Sequence, residues 1–138
     1  MRTFYIFKIN YEMEILLKES PYNLYRSLEG IYYLDKTNAS YGATLLDNLI
    51  VPIDKDKYNR LIYDKNKDND FYMKIGDSHK IINKYRKEDT NIIVKNSHIL
   101  LKTNIINKDI KKFLPLSSLF ACDFENKDYF WLEELIRL

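Results

Sequence analysis

Two histidines, one cysteine and a few carboxylate clusters are the residues with which this chain could bind a metal, attack a substrate or move a proton. His79, His98 and Cys122 stand 19 and 24 residues apart. Metal ligands usually come in pairs a few residues apart on one turn or helix, so this spacing predicts strand or surface histidines. The run Asp64-Lys-Asn-Lys-Asp-Asn-Asp70 has the opening of a calcium loop. Its sixth position is Asn69, where the loop needs glycine for its sharp turn, and its twelfth is Ile75, where it needs a bidentate glutamate. A solvated loop is expected there instead. Cys122 lies inside the apolar run Leu119-Phe-Ala-Cys, the setting of a small buried hydrophobe and not of an activated thiolate. Glu12 with Glu14, and Glu133 with Glu134, could form acid–base pairs, but each sits among charged neighbours and reads as an exposed helix face. Gly30, Gly42 and Gly76 are isolated, so no phosphate-cradling loop exists. These residues predict a protein that is not an enzyme and carries no metal, cofactor or small-molecule substrate.

A chain of 138 residues predicts one domain over 1–138. With 46% apolar and 30% charged residues it has the balance of a globular fold. The 22 Lys and Arg against 20 Asp and Glu leave a net charge of +2, too small for a dedicated nucleic-acid or polybasic membrane surface. A single cysteine allows no intramolecular disulfide and suits a reducing compartment. Lys8 interrupts the first apolar run, which lacks the form of a signal peptide. No apolar run nears the ~18 residues of a membrane span. The expectation is a soluble cytoplasmic protein.

The elements follow from period and punctuation. Thr3 to Ile9 is rich in Phe, Tyr and Ile and predicts a first strand. Asn10 is placed to cap a helix over Tyr11 to about Lys18, and Ser20-Pro21 restarts the chain as a second helix with the stripe Leu24, Leu28, Ile31, Tyr32. Ala43 to Val51 predicts a third helix, stopped by Pro52, and Asp56 to Tyr63 a fourth helical stretch. The period then changes. Phe71 to Ile75 and Lys80 to Tyr85 flank the turn Gly76-Asp77, and Asn91 to Lys95 and His98 to Thr103 flank Asn96-Ser97. A short helix over Lys108 to Leu114, a buried strand over Leu119 to Phe124, a turn at Glu125 to Asp128, an extended Tyr129 to Leu132 and a final helical turn complete the chain. Helices first and hairpins second predict an α+β fold: a two-layer domain, mostly antiparallel sheet, with helices packed on one face.

Two recognition surfaces are compatible with these elements. Strand Tyr and Phe interleaved with Lys could stack unpaired bases, with Lys80, Lys84, Arg86 and Lys87 gathered near Tyr85. No RNP-like pattern accompanies them, so a nucleic-acid-binding α+β domain is the alternative reading. A surface that recognises another protein, made of helix-borne apolar residues, is the other.

The segment Leu119-Phe-Ala-Cys-Asp-Phe-Glu-Asn-Lys-Asp-Tyr-Phe-Trp-Leu132 resembles the end of the sporulation inhibitor of replication family (SirA) of endospore-forming bacteria. The aromatic first strand (Phe4, Tyr5, Phe7), the short helix after it, the second helix rich in aromatics and Leu, Pro52 after the third helix and the hairpin over Ile92 to Leu101 are similar in order. The resemblance is close over Ala121 to Leu132 and does not extend to a clear alignment of 54–87. It implies a non-enzymatic protein that binds the N-terminal domain of the replication initiator DnaA and blocks new rounds of replication. That family's partner face lies on its first and third helices. Carried over by register, it falls on Met13, Leu17, Leu45 and Asn48. The chain departs from the family there, with Met13 and Leu17 where relatives carry aromatics and Leu45 where they carry a polar residue. For Leu17 and Leu45, a surface role and a core role fit the periodicity equally.

Overall fold

The computed structural model describes residues 1–34, 36–106, 110, 113–115 and 117–137. Strand β1 (Arg2–Lys8), rich in Phe, Tyr and Ile, lies inside the sheet, where both of its faces are covered. It pairs antiparallel with β5 (Ile99–Thr103) on one side, Phe4 opposite Leu101, and with β6 (Leu119–Asp123) on the other, Phe7 opposite Phe120. With β2 (Tyr72–Ile75), β3 (Ser78–Asn83), β4 (Glu88–Val94) and β7 (Asp128–Trp131) the described strands form one antiparallel sheet in the order β2-β3-β4-β5-β1-β6-β7. The predicted hairpins are present, and Gly76 turns the first of them with a φ of 56° that favours glycine.

Alternation along β1 divides the core in two. Phe4 and Ile6 point into a cluster with Ile92, Val94, Ile99, Leu101 and Ala121, covered by Tyr58 and Ile62 of α4 (Lys55–Asn66). Phe7 points to the opposite face, where Phe120, Cys122 and Trp131 meet Leu24, Tyr25 and Leu28 of α2 (Pro21–Tyr32), with Leu49 and Ile50. The α+β class and the antiparallel sheet are as expected. The helices are not confined to one face: α1 (Tyr11–Leu17), α2 and α3 (Ala39–Asp47) lie on the Trp131 side, and α4 on the other. The reason is on β1, whose two side-chain rows are both apolar and both need cover.

Three boundaries differ from expectation. The third helix runs four residues earlier than Ala43, because Leu49 and Ile50 leave the helix to return to the sheet, Ile50 bridging Ile9 and Val51 N–H donating to Lys8 O at 2.8 Å. The fourth helix continues through Asp64 to Asn66, into the run read as a solvated loop. Asn66 is buried and donates to Ile62 O at 2.8 Å. The hairpin before the central one closes at Lys87, whose φ is 54°, so that β4 begins at Glu88. Of the helix expected over Lys108 to Leu114, residues 107–109, 111 and 112 lie outside the described residues. Ile110, Phe113 and Leu114 belong to the α4-side core.

Candidate protein-docking surface

Asn10 organises α1. Its Oδ1 accepts from Met13 N–H at 2.9 Å, which caps the helix, while its backbone N–H donates to Leu49 O and its Nδ2 to Asn48 O at 3.1 Å. The first turn of α1 is thereby fastened to the end of α3. The other end is held by charge. Ser118 Oγ donates to Glu14 Oε2 at 2.7 Å. Lys18 pairs with Glu14 and Glu133, and its ammonium lies 4.2 Å from the ring centroid of Trp131. The pairs read from sequence as an exposed acidic face thus have inner members, Glu14 and Glu133, that hold the helix down.

With both ends fixed, the two faces of this short helix are set. Met13 and Leu17, four residues apart, are half-buried against the Trp131-side core. Tyr11, Ile15 and Leu16 point outward and are 75%, 62% and 70% exposed. Isolated exposed apolar residues are ordinary, but three on one seven-residue helix form a patch. On α3, Leu45 is half-buried and outside the core cluster, where Leu46 packs instead, and Asn48 is exposed. Of the four positions expected from sequence, Met13 and Asn48 are linked through Asn10, which caps α1 and bonds to Asn48 O; Leu17 stands one turn further along α1 and Leu45 one turn back on α3. Tyr11, Ile15 and Leu16, which the sequence reading did not single out, supply most of the exposed apolar surface on α1.

The remaining reactive side chains are far from one another in chemistry. Cys122 is fully buried beneath α2, and burial, with the charge of Glu29 behind it, pushes its thiol well above the ordinary range. His79 is on the opposite face, 1% exposed. Asn59 Oδ1 can only accept, so His79 Nε2 carries the proton and donates to it at 2.7 Å, leaving Nδ1 to accept from the Tyr72 hydroxyl at 2.7 Å. Burial first, and Lys74 second, hold its pKa below the ordinary value. His98 sits beside Tyr5 and Phe7 and shares a 2.8 Å hydrogen bond with Ser97. Among the described residues no three His, Cys, Asp or Glu side chains come together as a metal site.

The strand aromatics are mostly enclosed. Phe4, Phe7, Phe120 and Trp131 are buried, and Phe124 is stacked 4.3 Å from Tyr32. Tyr85 is the one residue of the basic cluster's aromatic neighbourhood left fully open, at 92%, on the β3–β4 turn.

The segment that resembles the replication-inhibitor family has a physical role in this fold. Arg2 Nε donates to Asp123 Oδ2 at 2.9 Å and Arg2 Nη2 to Asp128 Oδ2 at 2.6 Å, tying β1 to the β6–β7 hairpin. Asp123 accepts from the backbone and side-chain nitrogens of Asn126, which closes the turn. Burial would raise the Asp123 pKa, but the hydrogen bonds from Asn126 and Arg2 outweigh it and hold the carboxyl below its ordinary range. Asp123, Asn126 and Trp131 thus specify a hairpin and a core. No protein-family model matches the chain, and no curated protein matches it in sequence. Among the described residues no helix is long and apolar enough to cross a membrane.

Proposed function

We propose that the chain is a protein-binding inhibitor of replication initiation that docks through α1 and the end of α3 onto the N-terminal domain of DnaA. The observation that carries this reading is the outward apolar face of α1, Tyr11, Ile15 and Leu16, on a helix fixed at both ends. A pre-positioned apolar patch binds without the ordering cost of a mobile segment. Asn10, next to Tyr11, ties the start of α1 to Asn48 at the end of α3, and Met13 and Leu17 lie on the inner side of the same helix; the resemblance implies a partner face on these two helices. The choice of DnaA as partner rests on that resemblance. The nucleic-acid alternative has less support: the strand rings that would stack bases are buried or half-buried, and beside the basic cluster Tyr85 alone stands open.

Calorimetry of the chain with the N-terminal domain of DnaA from the same organism tests the proposal. The expected result is one-to-one binding whose affinity changes little with salt, as for an apolar interface; a nucleic-acid binder would lose affinity to its ligand steeply. No heat and no complex on a sizing column at tens of micromolar, roughly −6 kcal/mol, would remove DnaA as the partner.

A further inference from the structure

On the α4 side the sheet is paved in cross-strand rows. His79, Ile92 and Leu101 form one row, which Asn59 of α4 reaches through His79. The next two rows, Ile81-Thr90-Thr103 and Asn83-Glu88, floor a cavity of about 340 Å³. Leu101 joins the floor, and Ile110 and Phe113 line the cavity as apolar wall.

Two polar groups of this floor are left incomplete. Asn83 is 7% exposed, and its Oδ1 accepts from the backbone N–H groups of Tyr85 and Arg86 at 3.0 and 3.2 Å, which closes the β3–β4 turn. Those bonds fix the amide, and its Nδ2 has no partner among the described residues. Thr103 Oγ1 donates its one proton to Ile105 O at 2.6 Å, so in the 2.8 Å bond between the two threonines Thr90 Oγ1 is the donor. Thr90, 8% exposed, keeps unused acceptor capacity. An unspent donor and an unspent acceptor thus meet in one cavity, on diagonal neighbours of adjacent strands about 7 Å apart.

We infer that this cavity binds a small uncharged molecule with an apolar body and a head that both accepts and donates a hydrogen bond, as a primary amide does. The head accepts from Asn83 Nδ2 and donates to Thr90 Oγ1, while the body lies on Ile81, Leu101, Ile110 and Phe113. The volume is at the small end of ligand sites, and such sites pair apolar walls with a few polar groups. Charge selects against an ionised head. Arg86 and Glu88 are the two charged residues in the described lining, and they pair with each other at 3.2 Å. A carboxylate would face Glu88 and an ammonium Arg86, each out of water. Water alone would meet Asn83 and Thr90 but would also wet the apolar wall.

The test titrates the whole chain with hexanamide, hexanoate and hexylamine, which share a tail and differ in head, and follows its amide and methyl resonances. Hexanamide is expected to bind with a dissociation constant on the order of 1 mM, about tenfold tighter than either charged analogue. The shifts should centre on Ile81, Asn83, Thr90 and Leu101. Asn83→Asp keeps the acceptor that closes the turn and removes the donor; Thr90→Val keeps the shape and removes the acceptor. Each folded variant should weaken hexanamide about fivefold, and Leu16→Glu on the α1 surface should leave its binding unchanged. Equal affinity for the three compounds, no binding at tens of millimolar, shifts centred elsewhere, or wild-type affinity in both folded variants would each overturn the inference.

Discussion

The two halves of the Trp131-side face are made from the same alternating strands but end differently. Over β1, β6 and β7 the outward row is Phe7, Phe120, Cys122 and Trp131, and the chain's own helices cover it. Over β3 to β5 the corresponding row mixes Ile82, Ile93 and Leu100 with Lys80, Asn91 and Lys102, and nothing among the described residues covers it. Large rings demand burial within the chain, whereas a row of aliphatics broken by amines stays in water and remains available. The difference separates residues that the chain's own helices enclose from residues left in water.

The covered half should be the costlier one to disturb. Trp131 is fully buried, packed edge-on against Phe120 at 5.0 Å and beneath Lys18. Trp131→Ala should lower stability by about 3–5 kcal/mol, read as a fall in denaturation midpoint. An unchanged midpoint would mean that this half is not the structural one.

The opposite face of the open half is stapled by His79, which joins β3 to Asn59 of α4 and Tyr72 of β2. His79→Ala should cost about 2–3 kcal/mol, because a buried side chain is lost and two half-buried partners lose their hydrogen bonds. The same group makes stability depend on pH. The folded state holds His79 neutral below its ordinary pKa, so the unfolded chain takes up the proton first. Stability should therefore be full above about pH 6.5 and fall as pH drops below it. His98, also lowered by burial and Lys95, adds to the slope, and His79→Ala should flatten only part of it. Urea midpoints measured from pH 7.5 to 5.5 read both.

Much of this division is visible in the sequence, and its limits have physical causes. The apolar alternation of β1, the Ser20-Pro21 start of α2 and the Asn96-Ser97 turn are local signals, and each element stands where they put it. The early end of α3 depends on Ile50 pairing with Ile9, a contact across forty residues that no window contains. The inward face of α1 was not legible because Tyr11, Met13, Ile15, Leu16 and Leu17 leave almost no polar side to the helix. Asn10, Glu14 and Lys18 set its rotation through tertiary bonds. The His79 network joins residues from α4, β2 and β3 that have no shared motif.

On the open half, Ile82→Ser should change stability by less than about 0.5 kcal/mol, since nearly half of its side chain is already in water. A loss several times larger would show that a covering element has been removed from its place, and the contrast between the halves would fail.

The outward face of α1 is where the account is most exposed to test. Leu16→Glu places a charge at the centre of the proposed docking patch, whereas Leu17→Glu places one against the core, so only the first should keep the wild-type melting temperature. The decisive measurement is the calorimetric titration of folded Leu16→Glu into the N-terminal domain of DnaA. A loss of at least about tenfold in affinity, 1.4 kcal/mol, with the melting temperature unchanged, is the predicted result. Wild-type affinity in the folded variant would contradict it and move the binding surface away from α1.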